Sequence, residues 1–283
     1  MHLNRQKIRA TNYRSSKKVK RKNRRTKETK IDIKKRVGQR GPVFPKKNEI
    51  RSSKNLSKKN NFNKFLYLNI KKWKGKLKNN VIFILGNGPS ISKQPLHLLD
   101  DYFTIGVNRI FYIYDPIILF WQDINLWRSE REGIFRSKAI KVCRDFSDPQ
   151  HYFMNFKLHF NPPKFMSITE ELHGRGNSGM IAVQFAVALG CSSVVFLGMD
   201  CKYNGKKTDF YGVNKFHKPY TMNACRRGLK WIKDCQHDRK VINCSDSSVF
   251  TESSKLTDVV EELSNDHPYR TRKFFNMKLI DEV

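Results

Sequence analysis

The chain has 283 residues, a formal net charge of +31 and a hydrophobic content of 39%. Of its 56 Lys and Arg, 29 lie in residues 1–80, together with only 3 of its 25 Asp and Glu. The basicity therefore belongs to the first quarter of the chain and does not describe the rest. No apolar run approaches the ~20 residues of a membrane helix, and no apolar region of a secretory signal is found near the start.

Residues 1–61 are predicted to form a basic arm. Their apolar residues are sparse and aperiodic, so burial cannot offset the entropy cost of ordering the backbone, and we predict disorder. A chain this positive binds polyanions by releasing their counterions. DNA, RNA and anionic polymers are the partners it fits, and a solvated tail without a target is an equal alternative. The residues predicted to bind the polyanion are Arg21, Lys22, Arg24 and Arg25.

Residues 62–78 mix aromatic and aliphatic side chains with lysines. They predict a segment that docks on the following domain, although the lysines would also suit a nucleic acid or membrane surface. Residues 79–283 are then predicted to be one α/β domain. Its six cysteines form no CxxC pair and no zinc-type spacing, which indicates reduced thiols in a cytoplasmic protein. The histidines lack HxH or HExxH spacing, so no bound metal is predicted.

The domain opens with the short apolar run VIFIL at 81–85. Its β-branched residues predict a parallel strand that is buried on both faces. The turn after it combines glycines, which allow close approach to a ligand, with N–H groups that can hold a phosphate or sugar hydroxyl. It is neither a P-loop nor a dinucleotide fingerprint, because Gly-Lys-Ser/Thr and a third glycine are missing. The turn residues are Gly86, Asn87, Gly88, Pro89 and Ser90.

Polar residues also follow the next two predicted strands. Strand 103–108 ends in Asn108, and strand 116–123 ends in Gln122 and Asp123. Ligands of open parallel sheets bind outside the carboxyl ends of the strands. Gln122 and Asp123 are therefore candidates to contact an acceptor or ribose, although Asp123 is equally well placed to cap the helix predicted from residue 124.

The clearest pattern is a helix and the strand after it. Residues 180–189 are apolar and predict a buried helix that ends at Gly190. The following run, VVFLGMD, predicts a buried strand that closes on Asp200. The entry to the helix presents free amides and the positive end of the helix dipole to a phosphate or ribose. Its residues are Asn177, Ser178 and Gly179, of which the first two are alternative N-caps.

These motifs together carry a family resemblance. GNGPS, VNR and NSGMIAVQFAVALG followed by VVFLGMD resemble the Rossmann-type domain of bacterial CMP-sialic-acid-dependent sialyltransferases. They are also similar to proteins, many of them phage-encoded, labelled 6-hydroxymethylpterin diphosphokinase MptE-like, as is the later VINCSDSSVFTESSKLTDVVEEL. The resemblance covers roughly residues 81–263. It implies an α/β fold in which a Rossmann-like, doubly wound, mainly parallel sheet carries helices on both faces.

The sialyltransferase resemblance also implies roles for individual residues. The matched nucleotide-binding positions are Asn87, Gly88, Ser90, Asn108, Ser178 and Gly179, and Asp200 would orient a ribose or acceptor. Such enzymes use tyrosines near the leaving phosphate and a histidine base after the strand that ends in Asp. A histidine suits proton removal from a hydroxyl near neutral pH, and phenols can stabilise a departing phosphate. With a spacing that departs from the family pattern, the segment offers Tyr203, Tyr211, Tyr220 and His217, and Asp209 is a weaker candidate for the base.

The first hypothesis is a nucleotide-sugar-dependent glycosyltransferase without a metal or a tightly bound cofactor. It would use a CMP- or UDP-linked donor and an anionic or nucleic-acid-associated acceptor, in the host cytoplasm if phage-encoded. The second resemblance implies a pyrophosphokinase that uses ATP and Mg²⁺ instead. A third hypothesis is a non-catalytic nucleic-acid-binding or virion protein on the same fold. The sequence leaves the donor sugar, the acceptor and the oligomeric state open.

Overall fold

Seven parallel strands form the central sheet. The structure, a computed structural model, describes residues 73–147, 153–159, 172–174, 177–214, 219–235 and 239–266. The sheet strands are β1 (Val81–Leu85), β2 (Phe103–Val107), β3 (Ile118–Trp121), β4 (Ile140–Arg144), β5 (Met154–Phe156), β8 (Ser193–Leu197) and β9 (Lys240–Asn243). Their order is β5-β4-β3-β2-β1-β8-β9, and every neighbouring pair is parallel. A separate parallel pair joins β6 (Leu158–His159) to β7 (Leu172–His173).

Helices cover both faces of this sheet, as the sequence predicts. They are α1 (Ile124–Arg136), α2 (Ser178–Ala188), α3 (Pro219–Asp234) and α4 (Leu256–Asp266), and short 3-10 turns span Pro89–Lys93, Leu96–Leu99, Ile110–Tyr112 and Asp145–Ser147. All eleven residues of α2 are buried, which is what an apolar surface all round the helix requires. No helix among the described residues is both long and apolar enough to cross a membrane.

The alternation of side chains along β1 separates the two cores. Ile82 and Ile84 pack on the α2 and α3 side of the sheet, and Phe83 and Leu85 pack on the α1 and α4 side. All four are fully buried, so VIFIL is covered on both faces, as its β-branched composition indicates. The predicted Rossmann-like α/β fold is confirmed.

The strand predicted over 116–123 is shorter than expected. The ladder of β3 contains only Ile118–Trp121. Pro116 has no N–H to give to a neighbouring strand, and Gln122 leaves the sheet to bond with the start of α2. The end of this strand therefore supports a helix rather than extending the sheet.

Residues 73–80 pack against the end of α2. Trp73 and Leu77 are buried in the α2-side core, and the N–H of Leu77 donates to Leu189 O at 2.8 Å. These residues overlap the predicted docking segment, whose remainder lies outside the described residues, as does the predicted arm with Arg21, Lys22, Arg24 and Arg25. The described residues belong to one compact unit, Asn60–Val283, and the domain boundaries given above stay predictions.

The strand order places a topological switch point beside β1. From β1 the chain builds outward through β2, β3, β4 and β5, and it then returns to place β8 and β9 on the other side of β1. Where the direction of winding reverses, the loops at the carboxyl ends of the strands diverge and leave a crevice. The loops after β1, β2 and β8 meet at this point.

Candidate functional site

A cavity of about 440 Å³ lies at the switch point. This volume is within the range of small-molecule and cofactor sites. The loops after β1, β2 and β8 and the starts of α1, α2 and α3 line it. The lining residues are Gly86, Asn87, Gly88, Val107, Asn108, Arg109, Asp123, Asn125, Leu126, Asn177, Ser178, Gly179, Gly198, Met199, Asp200, Cys201, Thr208, Asp209, Tyr211, Asn214, Tyr220, Thr221, Met222, Ala224 and Cys225.

The two glycines of the first turn allow the β1 and β8 backbones to meet. Gly86 N donates to Leu197 O at 2.7 Å, and Gly88 N donates to Gly198 O at 2.8 Å. A Cβ atom at Gly86 would lie 2.3 Å from Gly198 O, and one at Gly88 would lie 2.5 Å from Asp200 Cγ. We expected these glycines to admit a ligand. Both do line the cavity, but the space beside each Cα is filled by β8 and its loop.

Asp200 bonds to the turn after the first strand. Its carboxylate accepts from Ser90 N at 2.8 Å and from the Ser90 hydroxyl, so it anchors the 3-10 turn Pro89–Lys93. Burial raises the pKa of Asp200, and the hydrogen bonds from Ser90 only partly offset this effect. Ser90 and Pro89 do not line the cavity. These two residues are therefore not placed to contact a molecule in the cavity, whereas Asp200 is.

The raised pKa of Asp200 predicts a pH dependence of stability. Because the folded chain holds this proton more tightly than the unfolded chain, the carboxyl's contribution to the free energy of unfolding falls as pH rises from the unfolded pKa to the folded pKa. Above the folded pKa the contribution is constant. Because an amide has only one acceptor oxygen, we expect Asp200→Asn to lose one of the two hydrogen bonds from Ser90 and to remove this fall from the profile. Urea unfolding at a series of pH values upward from pH ~4 measures both effects, and a variant profile parallel to the wild-type one would contradict the assignment.

Asn87 ties the first two loops together. Its Nδ2 donates to Val107 O at 2.8 Å, and its Oδ1 accepts from Arg109 N at 3.1 Å. Between these two contacts Asn108 adopts a left-handed backbone, with φ of +53°, which asparagine tolerates well. The Asn108 Oδ1 atom then accepts from the Ser178 hydroxyl at 3.3 Å. Three of the predicted residues, two from the loops after β1 and β2 and one from the start of α2, thus form one wall of the cavity.

Side-chain oxygens accept hydrogen bonds from most of the backbone N–H groups at the start of α2. With its amide oxygen facing the helix, Gln122 accepts from Asn177 N and Ser178 N, both at 3.0 Å. Of the two predicted N-caps it is Asn177 that acts, because its Oδ1 accepts from Met180 N at 3.2 Å. Gly179 lines the cavity, and its N–H has no acceptor in the hydrogen bonds of the described residues. A single helix-start amide is therefore open to a ligand, where the sequence suggested several.

Gln122 and Asp123 have different surroundings. Gln122 is buried and lies outside the cavity lining, so its amide supports the helix start instead of facing an acceptor. Asp123 is exposed at the cavity, and its side chain makes no capping hydrogen bond to α1. Of the two, only Asp123 is placed to meet a bound molecule.

Arg109 is a site residue that the sequence reasoning passed over. It is the only cation that the described part of the chain brings to the cavity wall. Its Nε donates to Glu130 Oε1 at 2.7 Å, and Nη1 donates to the Tyr211 hydroxyl at 3.2 Å. The guanidinium carbon lies 5.1 Å from the Tyr211 ring centroid. The available signal was its position directly after a strand, next to Asn108.

The segment after β8 brings Tyr211 to the same wall. Burial, followed by the Asp209 carboxylate, raises the pKa of Tyr211 to about 12, so the phenol is protonated at neutral pH. Asn214 Nδ2 donates to its hydroxyl at 3.0 Å. Asp209 and Tyr220 also line the cavity, and Tyr203 does not. His217 lies outside the described residues.

Carboxylates line the cavity but do not cluster. The three are Asp123, Asp200 and Asp209, and the last accepts from its neighbour Thr208 at 2.8 Å. Within the described ranges, no three His, Cys, Asp or Glu side chains come together in a way that could hold a metal ion.

The chain was compared with known families, curated proteins and solved structures. No protein-family model matches the chain, and no curated protein matches it. Similar solved structures include the sialyltransferase CstII from Campylobacter jejuni with cytidine-5'-monophosphate, at 12% identity and a TM-score of 0.40, covering 63% of this chain and 85% of that one. CstII from Campylobacter jejuni with CMP-3FNeuAc shares 12% identity, with a TM-score of 0.35 and coverage of 58% and 80%. A sialyltransferase CST-II complex with a trisaccharide acceptor and CMP shares 14% identity, with a TM-score of 0.36 and the same coverage. At these identities the likeness concerns the fold alone.

Proposed function

We propose that the protein is a nucleotide-sugar-dependent glycosyltransferase with a CMP- or UDP-linked donor. One observation carries the proposal: four motifs that are far apart in the sequence meet at one cavity at the switch point of the sheet. They are the turn after β1, Asn108 after β2, the start of α2, and Asp200 after β8. In α/β folds this is where nucleotides bind, and the same motifs carry the sialyltransferase resemblance.

The donor phosphate would bind beside Arg109. Three of its five N–H groups are used by Glu130, Tyr211 and Ser129, which leaves one on each terminal nitrogen for phosphate oxygens. Gly179 N supplies a further donor at the start of α2. The protonated Tyr211 phenol lies on the same wall, where it can stabilise negative charge as the sugar–phosphate bond breaks.

The acceptor hydroxyl requires a base, and His217 keeps that role in the proposal. Its support is the position of its neighbours, because Asn214 before it and Tyr220 after it both line the cavity. A histidine there would take the hydroxyl proton as the oxygen attacks the sugar carbon. Asp209, which is buried at the cavity wall, is the other base candidate.

The basic arm would hold the enzyme on an anionic acceptor. The support is its charge alone, since 23 of the 56 Lys and Arg lie in residues 1–61. Binding through counterion release predicts that acceptor affinity falls steeply with added salt. Donor binding in the cavity is expected to change far less, so salt separates the two interactions.

The full chain incubated with CMP-linked and UDP-linked sugars tests the function. We expect one nucleotide to raise the thermal midpoint, by mass action on the folded state, and the matching sugar conjugate to release that nucleotide when an acceptor is added. Conversion of ATP to AMP that requires Mg²⁺ would establish pyrophosphoryl transfer instead. If no nucleotide shifts the midpoint and the chain still binds nucleic acid, the non-catalytic hypothesis replaces the proposal.

A matched pair of serine variants locates the nucleotide in the cavity. Ser178 donates to Asn108 at the cavity wall, whereas Ser92 donates to Pro89 O outside it. Loss of one hydroxyl that contacts or positions the ligand costs about 0.5–1.5 kcal/mol. We therefore expect Ser178→Ala to weaken nucleotide binding several-fold and Ser92→Ala to leave it unchanged, as measured by isothermal titration. Equal affinities in both variants would move the binding site elsewhere.

A further inference from the structure

Helix α3 has one exposed side that is strongly basic. Leu229 and Ile232 are buried in the α2-side core. The exposed residues of the helix recur every three or four positions, so they share the opposite side. Four of them are cations, and we call these four the basic face of α3. They are Arg226, Arg227, Lys230 and Lys233.

Carboxylates do not balance the charge of this face. None of the ion pairs within the described ranges involves it, and the single carboxylate of α3 is Asp234, at the last position. Arg226 donates to Cys201 O and to Asn223 Oδ1, each at 3.2 Å, and both acceptors are neutral. Helix α4, on the opposite face of the sheet, carries four carboxylates and no Lys or Arg. The α3 side of the domain is therefore the side that attracts anions.

The basic face begins where the cavity lining ends. The first part of α3 lines the cavity from Tyr220 to Cys225, and Arg226 is the next residue. From Tyr220 to Lys233 the helix rises about 20 Å, several times the ~3.4 Å rise per nucleotide in a strand of DNA. A polyanion bound along α3 would thus contact several cations in turn and have one end at the cavity.

An exposed tyrosine lies between the cavity and the basic face. Tyr220 is 72% exposed and lines the cavity, and Tyr203, in the loop after β8, is 41% exposed. Unstacked bases bind to open aromatic rings, because every base has a π face. A row of cations with aromatic rings beside it is the arrangement by which proteins bind single strands. The tyrosines therefore favour a nucleic acid over other anionic polymers.

We propose that the basic face of α3 binds single-stranded nucleic acid, with phosphates along the helix and one base stacked on Tyr220 at the mouth of the cavity. Lysine and arginine contacts to phosphates position a strand without reading its sequence. This site lies on the folded domain and is distinct from the binding predicted for residues 1–61. A role of the bound strand as acceptor rests on the proposed function, whereas binding to α3 does not.

Lysine footprinting of the full chain tests where the strand lies. The probe is oligo(dT) of about 15 nucleotides, the upper range of single-strand site sizes, and mass spectrometry measures acetylation with and without it. We expect the probe to protect Lys230. Lys255, which is exposed just before α4, should react equally in both samples. Equal acetylation of Lys230 in both samples would overturn the proposal.

The salt dependence of binding tests the phosphate contacts. Each contact with a single strand adds about 0.7 to the slope of log affinity against log salt concentration. The double variant Arg227→Gln, Lys230→Gln should therefore lower the slope by about 1.4. The control Arg128→Gln, Lys255→Gln removes the same charge at exposed positions outside α3 and should keep the wild-type slope. Equal slopes in the two double variants would contradict phosphate contacts along α3.

Tyr220→Ala tests the stacked base. We expect it to weaken oligo(dT) binding about tenfold, the effect of losing one stacked base, without changing the salt slope. Tyr220→Phe keeps the ring and should bind as the wild type does. Full affinity in Tyr220→Ala, with heparin protecting Lys230 as well as oligo(dT) does, would refute a nucleic-acid site in favour of any anionic polymer. Protection by phosphatidylserine vesicles but not by oligo(dT) would assign the face to a membrane surface instead.

Titration of the full chain with CMP and UDP separates this site from the proposed function. If neither nucleotide binds while Lys230 is still protected, the proposed function fails and the nucleic-acid site stands. If a nucleotide binds but Lys230 is not protected, the proposed function stands and the site on α3 fails.

Discussion

Replacing Gly86 with alanine should lower the free energy of unfolding by about 3 kcal/mol or more, the upper range for forcing an atom into a packed interior. The new Cβ would lie 2.3 Å from Gly198 O and 2.8 Å from Gly198 C. Both are backbone atoms of the loop after β8, so no side chain can rotate away. Relief requires β1 and β8 to separate, which breaks the bond from Gly86 N to Leu197 O and opens the cavity at its base.

Gly205→Ala is the matched control for this variant. Gly205 has a φ of +59°, and a Cβ there would meet nothing within 4 Å. Its cost is the left-handed backbone alone, about 1 kcal/mol. Urea unfolding of the two variants measures the difference directly. If both lose the same stability, the contact between the β1 and β8 loops does not limit the size of residue 86.

Arg109→Gln should reduce nucleotide affinity by about 10- to 100-fold, because hydrogen bonds to a charged group contribute about 1.5–3 kcal/mol. Arg109 is the only cation that the described residues bring to the cavity, so no neighbour on that wall replaces its charge. Arg109→Lys keeps the charge but loses the planar fork that matches phosphate. We therefore expect this variant to recover part of the affinity. Titration with CMP and UDP gives the dissociation constants of the wild type and of both variants.

Arg136→Gln is the control for the charge change. Arg136 pairs with Glu132 on the exposed side of α1, and its side chain is 67% accessible. The substitution removes the same charge away from the cavity and should leave affinity unchanged. Arg109→Gln also removes a partner of Glu130, which keeps its contact with the Tyr112 hydroxyl. Thermal melts without nucleotide therefore show whether the variant changes folding as well as binding. Full affinity in Arg109→Gln would place the phosphate elsewhere.

The sheet also explains why residues far apart in the chain belong to one site. Asp200 and Ser90 are 110 positions apart, and they bond because β1 and β8 are neighbouring parallel strands. Asn87 reaches the backbone of β2 in the same way, through its bond to Val107 O. The cavity is thus formed by three strand ends at once, so a change in any one loop should alter the others.

The sequence by itself predicted the main strands and helices and the edge of the sheet at which their polar residues gather. The apolar runs at 81–85 and 180–189 predict a buried strand and a buried helix because their hydrophobic pattern is local. Polar residues after parallel strands predict one shared edge, because all strands of such a sheet end on the same side. The observed fold agrees with this, and Asn87, Asn108, Ser178 and Asp200 do meet.

Only the tertiary structure decided what each of these side chains does. Gln122 supports the start of α2, Asp200 anchors the turn at Ser90, and Arg109 supplies the positive charge. Each role depends on a partner more than ten residues away, and hydrophobic periodicity carries no information about such pairs. A polar residue at a strand end looks the same in the sequence whether it faces a ligand or a backbone amide. Only the position of the neighbouring segment in the folded chain distinguishes the two cases.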